Sequence, residues 1–580
     1  MRLLQLVIGA SFFAASAVAQ VDSFIASEGP IAKTGLFANI GPDGSKDAGA
    51  GAGLVTASPS TSNPDYAYTW TRDSSLVFKA IIDQYTLGID TSTGQKIDDF
   101  FTAEARLQQV SNPSGSVSSG GLGEPKFNLD FSAFTGAWGR PQRDGPALRA
   151  TALITWGNYL YSGGNTTFVK NTLWPVIKLD LDYVAADWNQ TTFDLWEEVS
   201  SSSFFTTAVQ HRSLREGATF ATLVGDSTSA STYTTQAANV LCFLQSYWNP
   251  TSGYITANTG GGRSGKDANT VLASIHTWDI KAGCDAATFQ PCSDKALSNL
   301  KVYVDAFRSI YSINSGIAAT AAVATGRYPE DSYYNGNPWY LTTLAPAEQL
   351  YDALTTWDSV GSINVTSVSL AFWKQLDSSI TVGSYAKSST TYATLTAAVK
   401  TFADGFVSVV QKYTPSSGAL SEQYDKSTGA QTSASDLTWS YASAITTFEA
   451  RNGTTPASWG AAGLTVPATC STSGSGSGGG GSGGSTVAVT FNVQATTVFG
   501  ENIYITGSVD ALQNWSPDNA LLLSAANYPT WSITVNLPAS TSVQYKYIRK
   551  NNGAVTWESD PNVQITTPAS GTYTANDSWR

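Results

Sequence analysis

The sequence predicts two folded units of different class, a large all-α domain followed by a small all-β sandwich. Three observations predict this. Apolar residues recur at the 3.6-residue helical period through most of the chain before residue 470,. A nearly pure Gly/Ser run, 471–485, then interrupts it, with no side chains able to bury a core,. Beyond that run the period falls to two,. At 580 residues the chain exceeds one ordinary core, so a division is expected on length alone,.

Residues 1–19 read as a signal peptide: Arg2, an apolar stretch from Leu3 to Ala15, then Ala17-Val18-Ala19 with small residues at −3 and −1 of a cut before Gln20,. No later run of 18 or more apolar residues follows, so a secreted chain without a membrane span is expected,. Residues 20–470 form the helical domain. Leu76, Val77, Ala80, Ile81 and Tyr85 make one stripe; Leu148, Ala152, Leu153 and Trp156 make another. Further stripes run over 172–187, 236–247, 297–312, 340–356, 393–412 and 437–449, separated by long polar loops on which a site is expected,. In 486–580, Val487, Val489, Phe491 and Val493 alternate with polar or small residues, as do Ile533, Val535 and Leu537, which reads as a β-sandwich,.

Composition excludes several functions. The net charge is −12, with 32 basic and 44 acidic residues, which leaves no basic face for nucleic acid,. Two His and four Cys are too few for a multi-ligand zinc or haem site, so no metal or cofactor is expected; an all-oxygen Ca²⁺ site stays open on this count,. His211 and His276 lie in no Ser or Cys triad context, and no Gly-x-Ser-x-Gly elbow occurs,. Secretion permits disulfides, and four cysteines allow three pairings. Six N-x-S/T sequons, at Asn165, Asn189, Asn364, Asn452, Asn514 and Asn576, are candidate glycan acceptors,. The 17 Trp and 26 Tyr supply either a large aromatic core or faces for stacking on sugar rings,.

Three segments carry chemistry: Tyr66-Ala-Tyr-Thr-Trp-Thr-Arg-Asp73, Asp194-Leu-Trp-Glu-Glu198 and Ser421-Glu-Gln-Tyr-Asp425. Singly, each has a plain structural reading: a salt bridge at a helix start with Asp73 or Ser74 as N-cap, a solvated helix end, and a polar loop. Together they fit glycosidic bond cleavage. That reaction needs one carboxylic acid to protonate the leaving oxygen and a second carboxylate to act as base or nucleophile. A Trp beside the acid raises its pKa by excluding water, and Arg/Asp forks hold sugar hydroxyls. Arg140, Arg143, Asp144, Glu330 and Asp331 add such groups, in loops that precede helical stripes.

These segments, with Trp138-Gly-Arg-Pro-Gln-Arg-Asp-Gly-Pro-Ala-Leu-Arg149 and Arg327–Trp339, resemble the fungal glucoamylases of glycoside hydrolase family 15 over about residues 22–470. The resemblance implies an (α/α)6 barrel, inversion at the anomeric carbon and release of glucose from non-reducing starch ends. It implies Glu197 as general acid and Glu422 as general base. Asp194, three residues from Glu197 and on the same side if the segment is helical, is the second choice for the base. Tyr66, Trp70, Arg72, Asp73, Trp138, Leu195, Glu198, Arg327, Trp339 and Gln423 match pocket positions. The same resemblance implies Cys242–Cys470 and Cys284–Cys292 as disulfides.

The tail resembles a starch-binding module of carbohydrate-binding family 20, through Phe499–Tyr504, Leu512–Trp515, Tyr545–Arg549 and Trp557–Pro561. That implies one glucan site on Trp515 and Trp557 with Lys546, Glu558 and Asn562, and a second on Tyr528 and Trp531. Phe499, where many relatives carry Tyr, removes a hydroxyl from the second. The expectation is a monomeric enzyme acting on starch and maltooligosaccharides, with neither nucleic acid nor membrane as partner. The alternatives are a related barrel hydrolase of trehalase or glucodextranase type, and a non-catalytic glucan-binding protein. An acidic pH optimum is expected, because one carboxyl must stay protonated while the other is ionised.

Overall fold

The structure is a computed structural model describing residues 2–470, 486–498, 500–517, 520–551 and 554–580. The expected linker, 471–485, and Phe499 lie outside the described residues. The chain divides into two compact units, Met1–Ser477 and Gly478–Arg580.

Among the described residues the first unit has twelve helices of nine residues or more: α1 (Arg2–Ala38), α2 (Thr71–Thr86), α3 (Gly94–Leu107), α4 (Asp144–Ser162), α5 (Trp174–Asp187), α6 (Phe204–Val224), α7 (Ser227–Leu244), α8 (Ala268–His276), α9 (Asp294–Ala306), α10 (Tyr340–Val360), α11 (Thr390–Tyr413) and α12 (Thr438–Arg451). The even-numbered helices close a ring. α2 packs on α4, α4 on α6, α6 on α8, α8 on α10, α10 on α12, and α12 returns to α2. The odd-numbered helices form an outer layer: α3 on α2, α5 on α4 and α6, α7 on α6, α9 on α8, α11 on α10, and α1 on α12 and α11. This is the (α/α)6 barrel that the resemblance implies.

Local chemistry sets the helix ends. Asp226, Asp267, Ser293 and Ser389 cap α7, α8, α9 and α11 by accepting a backbone N–H of the first turn,. Gly225 and Gly361 stop α6 and α10 in the left-handed region, where a Cβ would be strained,. α2 begins at Thr71 behind an extended Trp70, so Asp73 lies inside the first turn and is not the cap. The layers are joined by a buried guanidinium: Arg149 of α4 bonds Asp180 of α5 at 2.6 and 2.8 Å and Glu104 of α3 at 2.9 Å,. Both expected disulfides are present, Cys242–Cys470 tying α7 to the unit's last described residue. α1 runs through the expected cleavage point, where Ala19 and Gln20 are exposed, and then buries Val21, Ala32 and Leu36. Among the described residues one helix, α11, is long and apolar enough to cross a membrane; it carries Asp404 in a 2.7 Å ion pair with Arg451 of α12.

The second unit has two facing sheets. One holds β4 (Ser524–Asn527), β5 (Thr530–Pro538), β1 (Thr486–Gln494) and β9 (Thr572–Ser578), in that spatial order. The other holds β3 (Leu521–Leu522), β2 (Asn502–Gly507), β6 (Ser542–Asn551) and β7 (Ala554–Trp557), with β8 (Val563–Thr566) also on β6. Only β1 and β9 pair in parallel; the rest are antiparallel. Val487, Val489, Phe491 and Val493 meet Ile503, Ile505, Tyr545 and Tyr547 in the core, following the alternation in the sequence,.

Candidate active site

All six inner helices start at the same end of the barrel, and the segments leading into five of them, α2, α4, α6, α10 and α12, line one cavity of about 600 Å³. Their helix dipoles give that end a positive bias. Eleven of the expected residues line the cavity: Tyr66, Trp70, Arg72, Asp73, Trp138, Leu195, Glu197, Glu198, Arg327, Trp339 and Glu422.

Glu197 is not on a helix. Thr192–Phe193 and Ser200–Ser201 pair as a small hairpin, and Asp194–Val199 is its turn. Glu197 takes a left-handed φ of 68° there, and its N–H bonds the Asp194 carbonyl at 2.8 Å. Trp70 Nε1 donates to Glu197 Oε1 at 2.6 Å, Trp138 Nε1 to Oε2 at 2.7 Å, and Arg72 Nη2 to Oε1 at 3.2 Å. Arg72, buried on α2, also bonds Gln142 at 2.7 Å and Asp144 at 3.2 Å, and lies 3.5 Å from Asp73. Burial pushes the Asp73 carboxyl up to about 6 against the pull of Arg72,.

Glu422 follows the Gly418 turn and is buried. Its Oε2 accepts from Gln423 Nε2 at 2.8 Å and from the Ser433 hydroxyl. Burial pushes it up to about 7, with Ser433, Gln423 and Arg327 pulling the other way. Tyr66 shares a 2.8 Å hydroxyl bond with Tyr333 and feels the charges of both Glu422 and Glu197. Arg327 binds Asp331 with a two-pronged fork, 2.7 and 2.9 Å, and Glu198 at 2.9 Å, with Trp339 and Tyr333 flanking its plane,. Burial raises Glu198, but Arg327, Tyr328 and Arg263 outweigh it and hold the carboxyl below its ordinary value.

Four expectations are corrected. Asp194 does not line the cavity. It is fully buried and accepts the N–H groups of Glu198 and Val199 at 2.9 and 3.1 Å, because the segment is a turn and not a helix. Gln423 is also off the wall, bonding Glu422 and Asn337 from behind. In the second unit Trp531 is a core residue, 4% exposed, with its indole N–H on the Ala495 carbonyl. Glu558 is 2% exposed and accepts the Tyr547 N–H at 3.0 Å, so it braces β6. By contrast Trp557 and Tyr528 are 39% and 51% exposed, Trp515 is half-buried and Asn562 exposed. The Lys546 ammonium is fixed by Asp560 at 2.6 Å and by the Glu558 carbonyl at 3.2 Å.

Lys126, Ser433 and Trp439 lie outside the motifs, and Tyr333 lies inside the Arg327–Trp339 segment without being singled out there. Lys126 places its ammonium 3.7 Å from the Trp138 ring centre, 3.9 Å from Tyr68, 4.2 Å from Phe134 and 4.7 Å from Trp70. Burial pushes it down to about 8. Trp70 and Trp138 thus carry a cation on their faces and the Glu197 carboxylate on their N–H groups. A lysine in a mixed loop gave no signal; only the aromatic density around it did.

The first unit matches the profile of glycosyl hydrolases family 15 over residues 30–449, and the second matches the starch binding domain over 486–577. The chain is 68% identical to Glucoamylase-1 of Schizophyllum commune, covering 99% of this chain and 98% of that one. It is 50% identical to the glucoamylase of Neurospora crassa over 97% and 94%. Among solved structures, the family 15 glucoamylase of Hypocrea jecorina superposes with a TM-score of 0.77 at 50% identity, covering 97% of this chain and all of that one. With that profile spanning most of the chain, and with two relatives matched along nearly their whole length, the protein belongs to glycosyl hydrolase family 15.

Proposed function

We propose that the chain is a secreted glucan 1,4-α-glucosidase that releases β-D-glucose from the non-reducing ends of starch and maltooligosaccharides, with slower action on α-1,6 links. The observation that carries this reading is the gathering of Glu197 and Glu422, far apart in sequence, onto one cavity with the Arg72/Asp73 and Arg327/Glu198 pairs. Glu197 protonates the glycosidic oxygen as the bond to the anomeric carbon breaks. Glu422 takes a proton from the water that attacks the opposite face, so configuration inverts and no covalent intermediate forms. Arg72 with Asp73 grips the terminal glucose, and Glu198 with Arg327 holds the next ring. Asp194 fixes the turn that presents Glu197 and Glu198.

Residues 1–19 are the leader, 20–470 the catalytic domain, 471–485 the tether and 486–580 the starch-binding domain of a glycosylated monomer. Trp515 and Trp557 stack on glucan, Lys546 and Asn562 reach its hydroxyls, and Tyr528 serves a second contact. Tethering raises the concentration of active site at the granule.

Anomeric-proton NMR of maltoheptaose digestion tests the reaction: β-glucose as the sole early product is expected, and early α-anomer would refute inversion. Glu422→Gln should lower kcat by roughly 10²–10⁴-fold while leaving starch adsorption intact. Deleting 471–580 should spare dextrin hydrolysis and weaken raw-starch hydrolysis; equal loss on both would refute the tether's role.

A further inference from the structure

The outer face of the module's second sheet carries an apolar row that continues beyond Trp557. Strand register sets Leu522 of β3 opposite Tyr504 of β2, Tyr504 opposite Ile548 of β6, and Ile548 opposite Trp557 of β7. Residues in one rung share a face, because side chains alternate along each strand. Their neighbours Ile503, Ile505, Tyr545 and Tyr547 fill the core between the sheets, so this rung points outward. Leu522 is 54% exposed, a large apolar side chain in water with no part in the core. Ile548, in the middle of the rung, is fully buried and lies outside the core between the sheets. One step along β6, Lys550 holds its ammonium 4.4 Å from the Tyr504 ring centre. Four strands at the usual spacing make the row about 14 Å long.

We propose that this row is an added glucan subsite, across which an α-glucan chain seated on Trp557 continues over Tyr504 to Leu522. The proposal rests on the reading that Trp557 holds glucan. The row suits a sugar polymer for two reasons. Its apolar line meets the C–H faces of successive glucose rings, whose hydroxyls project from their edges. Lysines border it along β6, Lys546 before the rung and Lys550 after it, and an ammonium donates to such hydroxyls,. A straight row suits an open chain better than a cyclic sugar, whose ring closes away from it.

The full-length protein tests it through two probes, β-cyclodextrin titration and adsorption to granular starch, on the parent, Leu522→Ser, Tyr504→Ser/Leu522→Ser and Trp557→Ala. Leu522→Ser should keep the β-cyclodextrin Kd within about twofold and weaken granule adsorption about fivefold, as expected for losing one apolar contact. The double variant should lose more, with the module's melting transition monitored for each. Granule adsorption equal to the parent in both row variants would overturn the proposal. A parent that sediments as a dimer and is dissociated by Leu522→Ser, with adsorption unchanged, would overturn it in favour of self-contact. If Trp557→Ala spares β-cyclodextrin binding, the reading of Trp557 fails, and with it the shared-chain proposal, whatever the row variants show.

Discussion

The barrel buries carboxyl groups at both ends and surrounds them differently. Where the inner helices begin, Glu198 and Asp331 sit on Arg327, and Glu197 sits on Arg72 and two indole N–H groups. Farther along the same helices, Glu348 and Asp352 near the middle of α10 and Glu449 near the end of α12 face a cavity of about 100 Å³. Their partners are neutral: Thr446 and Thr447 donate to Glu348 at 2.9 and 3.1 Å, and Gln84 to Glu449 at 2.6 Å. The nearby cations are committed elsewhere, Lys79 to Asp83 and Arg212 to Glu216 and the His276 carbonyl. Burial therefore pushes Glu348 up to about 7 and Glu449 to about 6, and Asp352 well above its ordinary value. A displaced carboxyl pKa alone does not mark an active site. What distinguishes the pocket end is an open cavity with guanidinium groups beside the carboxylates.

Removing a cation should hurt only the end that depends on one. Arg327→Met leaves Asp331 and Glu198 without their shared partner, so kcat/KM on maltose should fall about 10²–10³-fold. Steady-state kinetics check this, and a loss below tenfold would break the contrast. The other end should respond in stability, and only as pH rises. Glu348 has a folded value of about 7 against an ordinary 4.5. Its stabilising contribution is complete below 4.5 and is lost as pH climbs through 7. Glu348→Gln with Asp352→Asn cannot ionise, so the variant should match the parent at acid pH and exceed it by on the order of 2–3 kcal/mol near neutrality. Melting temperatures at several pH values decide this, and a gap that does not change with pH would contradict it.

Much of this was legible in the sequence, and the gaps have physical causes. The stripes at 172–187, 340–356, 393–412 and 437–449 fall within two residues of α5, α10, α11 and α12 or inside them. The stripes do not include α3, α6 or α8, although Ile97, Phe100, Phe101 and Leu107 of α3 keep the helical period and are buried. α6 is buried over most of its length as an inner helix, so its apolar residues do not segregate to one face,. Ring closure could not be read at all, since it depends on contacts between distant helices. Glu197 and Glu422 stood out by motif, whereas their neighbour relation came from the fold. Asp194 misled because an i, i+3 spacing was given helical meaning in a turn. Trp531 misled because an indole looks the same in sequence whether it stacks on sugar or fills a core.

The smallest effect offers the finest comparison, because it sets one hydroxyl donor against another. Ser433 donates to Glu422 as Thr447 donates to Glu348, each favouring the ionised carboxylate,. Ser433→Ala should raise Glu422 further, and the acidic limb of kcat/KM, which follows ionisation of the free enzyme's base, should move up by about one pH unit. The alkaline limb should stay in place, so the profile narrows from its acid side. Thr447→Val should leave both limbs where they are and appear only in the melting temperature. A shift of the acidic limb in Thr447→Val, or none in Ser433→Ala, would mean that the two ends are electrostatically one region, and the separation of catalytic from structural carboxylates would be lost.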